Sequence, residues 1–478
     1  MEPDLLKADA TGQLAALAAK RVSAEELLKL SLARHADTHG QINAVVAVDL
    51  EGALSRARVI DETRARGGPL GPLAGLPMTL KDTFDVQGLP ASAGLDHFRH
   101  RRAEDAVVAG HVRQAGAVIW GKTNVPVMAG DWQTYNGVYG TTNNPWDPKR
   151  TTGGSSGGAA AALATGVTAL EIGSDIGGSL RVPANFCGVF SHKPSWGLVS
   201  QLGHVPPNPG ARAERDLNVV GPMARSVRDL RLLLSLIAQG PVAAKAPPAD
   251  LTKTRIGVWL DDPNLHLDPE VRAVIEAFVA DLAKAGAQIQ VISSPVAVDQ
   301  LLAAYQVLLG SIIGADMPPA QQRGMRRMRG LAEIALRLGA SPNGNMALVR
   351  DYTATHAEWL AANEVRARMR HDLASIFDHI DVILAPITPV VAFPHDQRAF
   401  QTRRLTTSDG QSLAYTSLLN WIALATACHL PATTVPAGQT PGGLPVGVQL
   451  IGAFGADSKT LSVAQAIDET VRGFKAPS

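Results

Sequence analysis

Cysteine is nearly absent: Cys187 and Cys428 are the only two among 478 residues, far apart and both in apolar surroundings. A disulfide framework or a CxxC metal or redox motif is thereby excluded, and both read as buried packing residues. Excess charge of either sign is missing as well, since 44 Lys plus Arg face 43 Asp plus Glu. No global field would draw the chain onto nucleic acid or an anionic membrane. The one dense basic run, Arg323 to Arg329, reads as a solvated helix face. No stretch approaches the ~18 apolar residues of a spanning helix. The opening MEPDLLKADATGQL lacks the basic flank and apolar centre of a signal peptide, so a cytoplasmic location with no membrane partner is expected. Thirteen histidines include no H-E-x-x-H, His97-x-x-His100 lies in a charged segment expected to face solvent, and no Ser-x-x-Lys occurs. Zincin and penicillin-binding chemistry are therefore disfavoured, and neither metal nor cofactor is expected.

What is present is an ordinary globular composition, 46% hydrophobic and 18% charged, with enough chain for a sizeable core. Ser23-Ala-Glu-Glu26 is a capping-box start for a helix, and a strand is expected in 42–50. A second helix over about 52–66 stops at Gly67-Gly68-Pro69 and leads to a short strand, MTLKD (78–82), with Lys81 at its end. SVRDLRLLLSLIAQG (226–240) reads as a capped amphipathic helix and 241–254 as a Pro/Ala-rich connector. RIGVWL, the helix DPEVRAVIEAFVADLAKAG and AQIQVI form a βαβ unit. Residues of about 298–378 are mostly helical and could cover a cleft, and DVILAP (381–386) and PVGVQLIG (445–452) are further strands.

The stretch GAVIWGKT (116–123) fits the phosphate-loop pattern G-x-x-x-x-G-K-[ST]. Its context does not. A helical pattern precedes it and ends at Gly116, AVIW is a β-prone run, and Pro126 obstructs a helix opening at Lys122, so the segment is expected to be a strand. Gly153-Gly-Ser-Ser-Gly157 likewise satisfies G-x-S-x-G, but a nucleophile elbow needs a strand immediately before it, where this chain has NNPWDPKR. Within 151–188 two Gly-Ser turns flank a helix and a strand. Glycine pairs allow positive φ and close approach to a ligand, and consecutive N–H groups in such turns can hold an oxyanion beside Ser179.

These segments strongly resemble the amidase signature family: LAGLPMTLKD, GAVIWGKTN, YGTTNNPWD, GGSSGG, GSDIGGSLRVPANFCG, HKPSWG and LPVGVQLIG. Ser155 precedes Ser179 by 24 residues, the spacing of that family. The resemblance spans nearly the whole chain and implies one domain over 1–478, α/β in class, with a large central mixed β-sheet covered by helices on both faces and its motifs in 73–200. It implies Ser179 as nucleophile, Ser155 as a bridging serine on a cis peptide, and Lys81 as base. The N–H groups of Ile176, Gly177, Gly178 and Ser179 would form the oxyanion hole. Ser156, Asp175 and Arg181 would support the turns, and Ala129, Gly130 and Trp132 would line the acyl pocket. Val127, Thr152 and Ala159 depart from common family residues without removing a catalytic group. The implied function is hydrolysis of small-molecule amides, carbamates or esters through an acyl-enzyme. The alternative is the glutaminase subunit of a tRNA-dependent amidotransferase, which works with partner chains. A lone chain and a homodimer are both compatible with the sequence.

Overall fold

The computed structural model describes residues 3–340 and 344–477. Eight strands form one mixed sheet in the order Gln288–Val291, Arg255–Val258, Val382–Pro386, Pro445–Ile451, Ala432–Gln439, Phe190–Lys193, Val219–Ala224, Leu170–Asp175. The first three strands are parallel to one another and every later pairing is antiparallel. The βαβ unit supplies the parallel edge, with Pro269–Lys284 as its helix, capped at Asp268, whose side chain accepts from Glu270 N–H. Successive strand residues point to opposite faces. In Leu170–Asp175, Val219–Ala224, Val382–Pro386 and Pro445–Ile451 every residue is buried, which requires helices on both faces. Only the edge strand Gln288–Val291 is largely exposed.

A second sheet of three strands, Val45–Val48, Val118–Thr123 and Pro77–Lys81, lies against the first. A side-chain hydrogen bond from Thr79 to Glu171 ties Pro77–Lys81 to the edge strand Leu170–Asp175. The end of one sheet, at Lys81, thus meets the end of the other. The GKT segment is a buried strand: Lys122 donates to the carbonyls of Phe84 and Pro90 and stands 3.7 Å from Asp82. It is a core residue and cradles no phosphate.

The helix Gly157–Ala164 (GGAAAALA) is buried along its whole length. A Cβ on Gly158 would stand 2.4 Å from the Asn124 nitrogen, and one on Gly157 would stand 2.2 Å from Thr134 Oγ1. The second glycine pair of GGSSGG therefore serves close packing, Gly157 against the Thr134 and Thr152 hydroxyls and Gly158 against the Asn124 backbone, whereas Gly153 and Gly178 take positive φ. The capping box at Ser23 forms, with Glu26 N–H donating to Ser23 Oγ and Ser23 N–H to Glu26 Oε2.

Two expectations are corrected. The Ser226 hydroxyl does not cap Val227–Ile237. It donates to Asp9, and Asp468 from the helix Asp457–Thr470 accepts from Val227 N–H instead. Val298–Asp316 is, by length and mean hydropathy, apolar enough to span a bilayer, against the expectation of no such run. Here it turns Leu301, Ala304, Tyr305 and Leu308 into the core. Pro319–Arg337, Asn345–Tyr352 and His356–Phe377 complete the expected helical block, of which 341–343 lie outside the described residues. In the basic run Arg323, Arg326 and Arg327 are exposed and Arg329 pairs with Glu333 and Glu358. His97 and His100 are exposed, and both cysteines are free and buried.

Candidate active site

Lys81 is the last residue of its strand and has no exposed surface. Its Nζ lies 2.8 Å from Ser155 Oγ and 2.9 Å from Ser174 Oγ. Burial lowers its pKa to about 7 even though Asp175 and Glu171 pull it upward. Asp82, next in sequence, points to the opposite side, where Ser92 and Lys122 hold it, as strand alternation requires. The backbone delivers Ser155 on a cis Gly154–Ser155 peptide.

Ser179 sits in the turn that follows the strand Leu170–Asp175. Asp175 organises that turn: its carboxylate accepts from Gly178 N–H at 2.8 Å, Leu180 N–H at 3.1 Å and Arg181 Nη2 at 3.0 Å. Burial pushes the Asp175 pKa upward, but the Arg181 guanidinium, together with Lys193 and the Gly178 N–H, outweighs this and holds the carboxyl below its usual range. Arg181 in turn donates to the Ile422 carbonyl, Gln449 Oε1 and Thr426 Oγ1 at 3.0, 2.9 and 2.6 Å. Every strong donor of this buried ion pair is used, and the turn is fixed from below. Ser156 N–H donates to the Ser179 carbonyl at 3.3 Å, which joins the two Gly-Ser turns.

Two further bonds fix the peptide planes. Tyr305 Oη donates to the Ile176 carbonyl at 2.8 Å and Trp132 Nε1 to the Gly177 carbonyl at 2.7 Å. Among the described residues the N–H groups of Ile176, Gly177 and Ser179 have no protein acceptor, the state an oxyanion hole requires. Gly178 is different, because its N–H is committed to Asp175 and is not available to substrate. Ser156 supports the turn through its backbone, while among the described residues its buried hydroxyl has no hydrogen-bond partner.

Ser155, Ser174, Ser179, Ile176, Gly177, Ala129, Gly130 and Trp132 all line one cleft of about 550 Å³. Its outer wall comes from the helical block through Leu309, Ile312, Ile313, Ala347 and Leu348, with Phe400 and Leu419 opposite. The carboxylates at its margin are spoken for: Asp131 by Arg403 and Tyr415, Asp316 by Arg215, and Asp351 by Arg350. Among the described residues no group of three His, Cys, Asp or Glu could hold a metal ion. Sequence reasoning did not single out Ser174, Tyr305 or His204. Ser174 lies inside the GSDIGGS motif, whereas nothing near Tyr305 or His204 marks them as neighbours of the serines.

The sequence profile of the family described as "Amidase" matches residues 26–461. A glutamyl-tRNA(Gln) amidotransferase subunit of Acidothermus cellulolyticus is 34% identical over 98% of this chain and 95% of its own. A crystal structure of an amidase superposes with TM-score 0.80 at 29% identity, covering 97% of this chain and 100% of that one. A glutamyl-tRNA(Gln) amidotransferase subunit of Thermotoga maritima superposes with TM-score 0.75 at 25% identity over 100% of this chain and 99% of that one. With two glycine-serine turns meeting over a buried lysine and a family match over most of its length, this chain belongs to the amidase signature family.

Proposed function

We propose that the chain cleaves neutral carboxylic amides, and the electronically similar carbamates and esters, through an acyl-enzyme on Ser179. The observation that carries this reading is the buried Lys81 amine 2.8 Å from Ser155 Oγ, with its pKa lowered to about 7 by burial. A hydroxyl becomes nucleophilic only as its proton leaves. Ser179 Oγ attacks the carbonyl carbon while its proton passes to Ser155 Oγ and the Ser155 proton passes to Lys81 Nζ. The N–H groups of Ile176, Gly177 and Ser179 receive the charge developing on the carbonyl oxygen. The lysine proton returns through Ser155 to the leaving nitrogen as the C–N bond breaks and the amine departs. Water then adds to the acyl ester by the same relay, and the acid leaves.

The cleft lining supports an uncharged, largely apolar acyl group. A second reading, the glutaminase subunit of a tRNA-dependent amidotransferase working with partner chains, is favoured by the names of the relatives at 32 to 34% identity. Free glutamine brings an ammonium and a carboxylate that need partners, and the carboxylates at this cleft already have theirs. Purified protein, alone and with any co-purifying chains, should be screened against aliphatic amides, anilides, carbamates and glutamine by release of amine or ammonia. Turnover of apolar amides by the chain alone supports the first reading. Glutamine turnover that depends on a co-purified chain supports the second.

A further inference from the structure

A neutral lysine amine has one lone pair, and two serine hydroxyls stand within reach of it. Ser155 Oγ is 2.8 Å and Ser174 Oγ 2.9 Å from Lys81 Nζ. If Ser174 donated its proton to that lone pair, Lys81 could not accept from Ser155 and the relay to Ser179 would stall. The surroundings of Ser174 decide which way its proton points. His204 Nε2 lies 2.9 Å from Ser174 Oγ, and His204 Nδ1 lies 2.7 Å from the carbonyl oxygen of Pro206. A carbonyl can only accept, so Nδ1 carries the hydrogen. Burial lowers the His204 pKa to about 3, so the ring is neutral and Nε2 is an acceptor. Ser174 Oγ–H is the donor that meets it. The Phe84 ring, edge-on at 5.0 Å, holds the imidazole in place.

We propose that His204 is a positioning residue that draws the Ser174 proton away from Lys81 and so reserves the lysine lone pair for Ser155. Ser174 then presents only lone pairs to Lys81 and accepts one of its N–H groups, which aims the free lone pair at Ser155. The inference rests on the reading of Lys81 as the base. The ionisable groups around this pair are Glu171 and Asp175 on the strand that carries Ser174, and Lys122 on a neighbouring strand with its own partners Asp82 and Asp85. None of them touches His204 Nε2, which bonds to Ser174 alone among the described residues.

The test follows the rate at which a fluorophosphonate labels Ser179, located by mass spectrometry, as a function of pH. This readout reports nucleophile activation whatever the natural substrate is. His204→Leu removes the acceptor, and labelling at its pH plateau should fall by at least about tenfold. Its acid limb should move to lower pH, because a Ser174 proton donated to Lys81 favours the neutral amine. His204→Gln places an amide oxygen near the Nε2 position and should keep the wild-type limb and a rate within about threefold, while His204→Asn, too short to reach, should resemble His204→Leu. The Gln and Asn variants keep the test open if the leucine variant folds poorly. Equal rates and limbs in the Gln and Asn variants, or a wild-type profile in His204→Leu, overturn the proposal. Lys81→Ala run in parallel separates the two readings: labelling that survives it removes the base itself, whereas labelling lost there with an unaltered His204→Leu profile removes only the role of His204.

Discussion

The segment 151–193 and the helical block 298–377 face each other across one cleft, yet they are built by opposite rules. The first is almost wholly buried and rich in glycine, serine and alanine, and its ionisable groups are held inside: Asp175 pairs with Arg181, Glu171 accepts from Thr79 and Lys193 donates to the Pro194 carbonyl. The second turns Leu309, Ile312 and Ile313 toward the cleft and carries exposed ion pairs along its outer helix surface, as at Glu364 with Arg368, besides the more enclosed pairs Arg329 with Glu333 and Arg366 with Asp216. On the proposed reading, chemistry that depends on a tenth of a nanometre would sit on the buried, tightly bonded segment, and recognition on elements that can be altered without touching it.

That contrast can be broken first at its chemical centre. Ser179→Ala should lose at least about a thousandfold in turnover, while the melting temperature stays near wild type because among the described residues the hydroxyl of the turn residue Ser179 makes no hydrogen bond that the change would break. Circular dichroism and melting of the same sample make the check; substantial residual activity would place the nucleophile elsewhere. Lys81→Met should lose on the order of a hundredfold or more. It also carries a stability signature. Folding depresses the Lys81 pKa from 10.5 to about 7, so between those values the unfolded state binds the extra proton. Stability therefore rises with pH across that window, by up to about 1.4 kcal/mol per pH unit, and Lys81→Met should remove this slope in urea titrations.

A smaller effect is expected from Gly158→Ala. The added methyl meets backbone at Asn124, where nothing can rotate away, and should cost about 1–3 kcal/mol of stability without changing substrate preference. On the opposite wall the signs reverse. Ile313→Ala, at an exposed side chain of that wall, should leave stability and Ser179 labelling little changed but raise KM for apolar amides by roughly tenfold, as a shortened side chain in a hydrophobic pocket does. Glu364→Gln, which removes an exposed ion pair, should change neither melting temperature nor kinetics measurably. A stability loss at Ile313 as large as that at Gly158 would erase the distinction between the two walls.

Legibility in the sequence followed the same division. The Gly-Ser turns, the end-of-strand position of Lys81, the strand at Val118–Thr123 and the helical block could all be read locally, because spacing, caps and flanking glycines fix them. The strands Val219–Ala224 and Ala432–Gln439 were not read, since Pro222 and Pro436 interrupt an otherwise β-prone pattern, and their places inside the sheet are set by neighbours distant in sequence. Commitment of the Gly178 N–H to Asp175 was likewise invisible: a donor's availability depends on where one carboxylate points. Tyr305 and His204 reach the turns from separate elements, so only the folded chain discloses them.

The central claim, that a buried neutral lysine starts the reaction, is tested most directly by the pH dependence of Ser179 labelling in the wild type and in Lys81→Arg. The wild-type rate should rise along a single limb with its midpoint at about pH 7, and Lys81→Arg should be nearly inert throughout because guanidinium stays protonated. A wild-type rate that is flat from about pH 5 to about pH 9, or a Lys81→Arg variant that labels as fast as wild type, would contradict it.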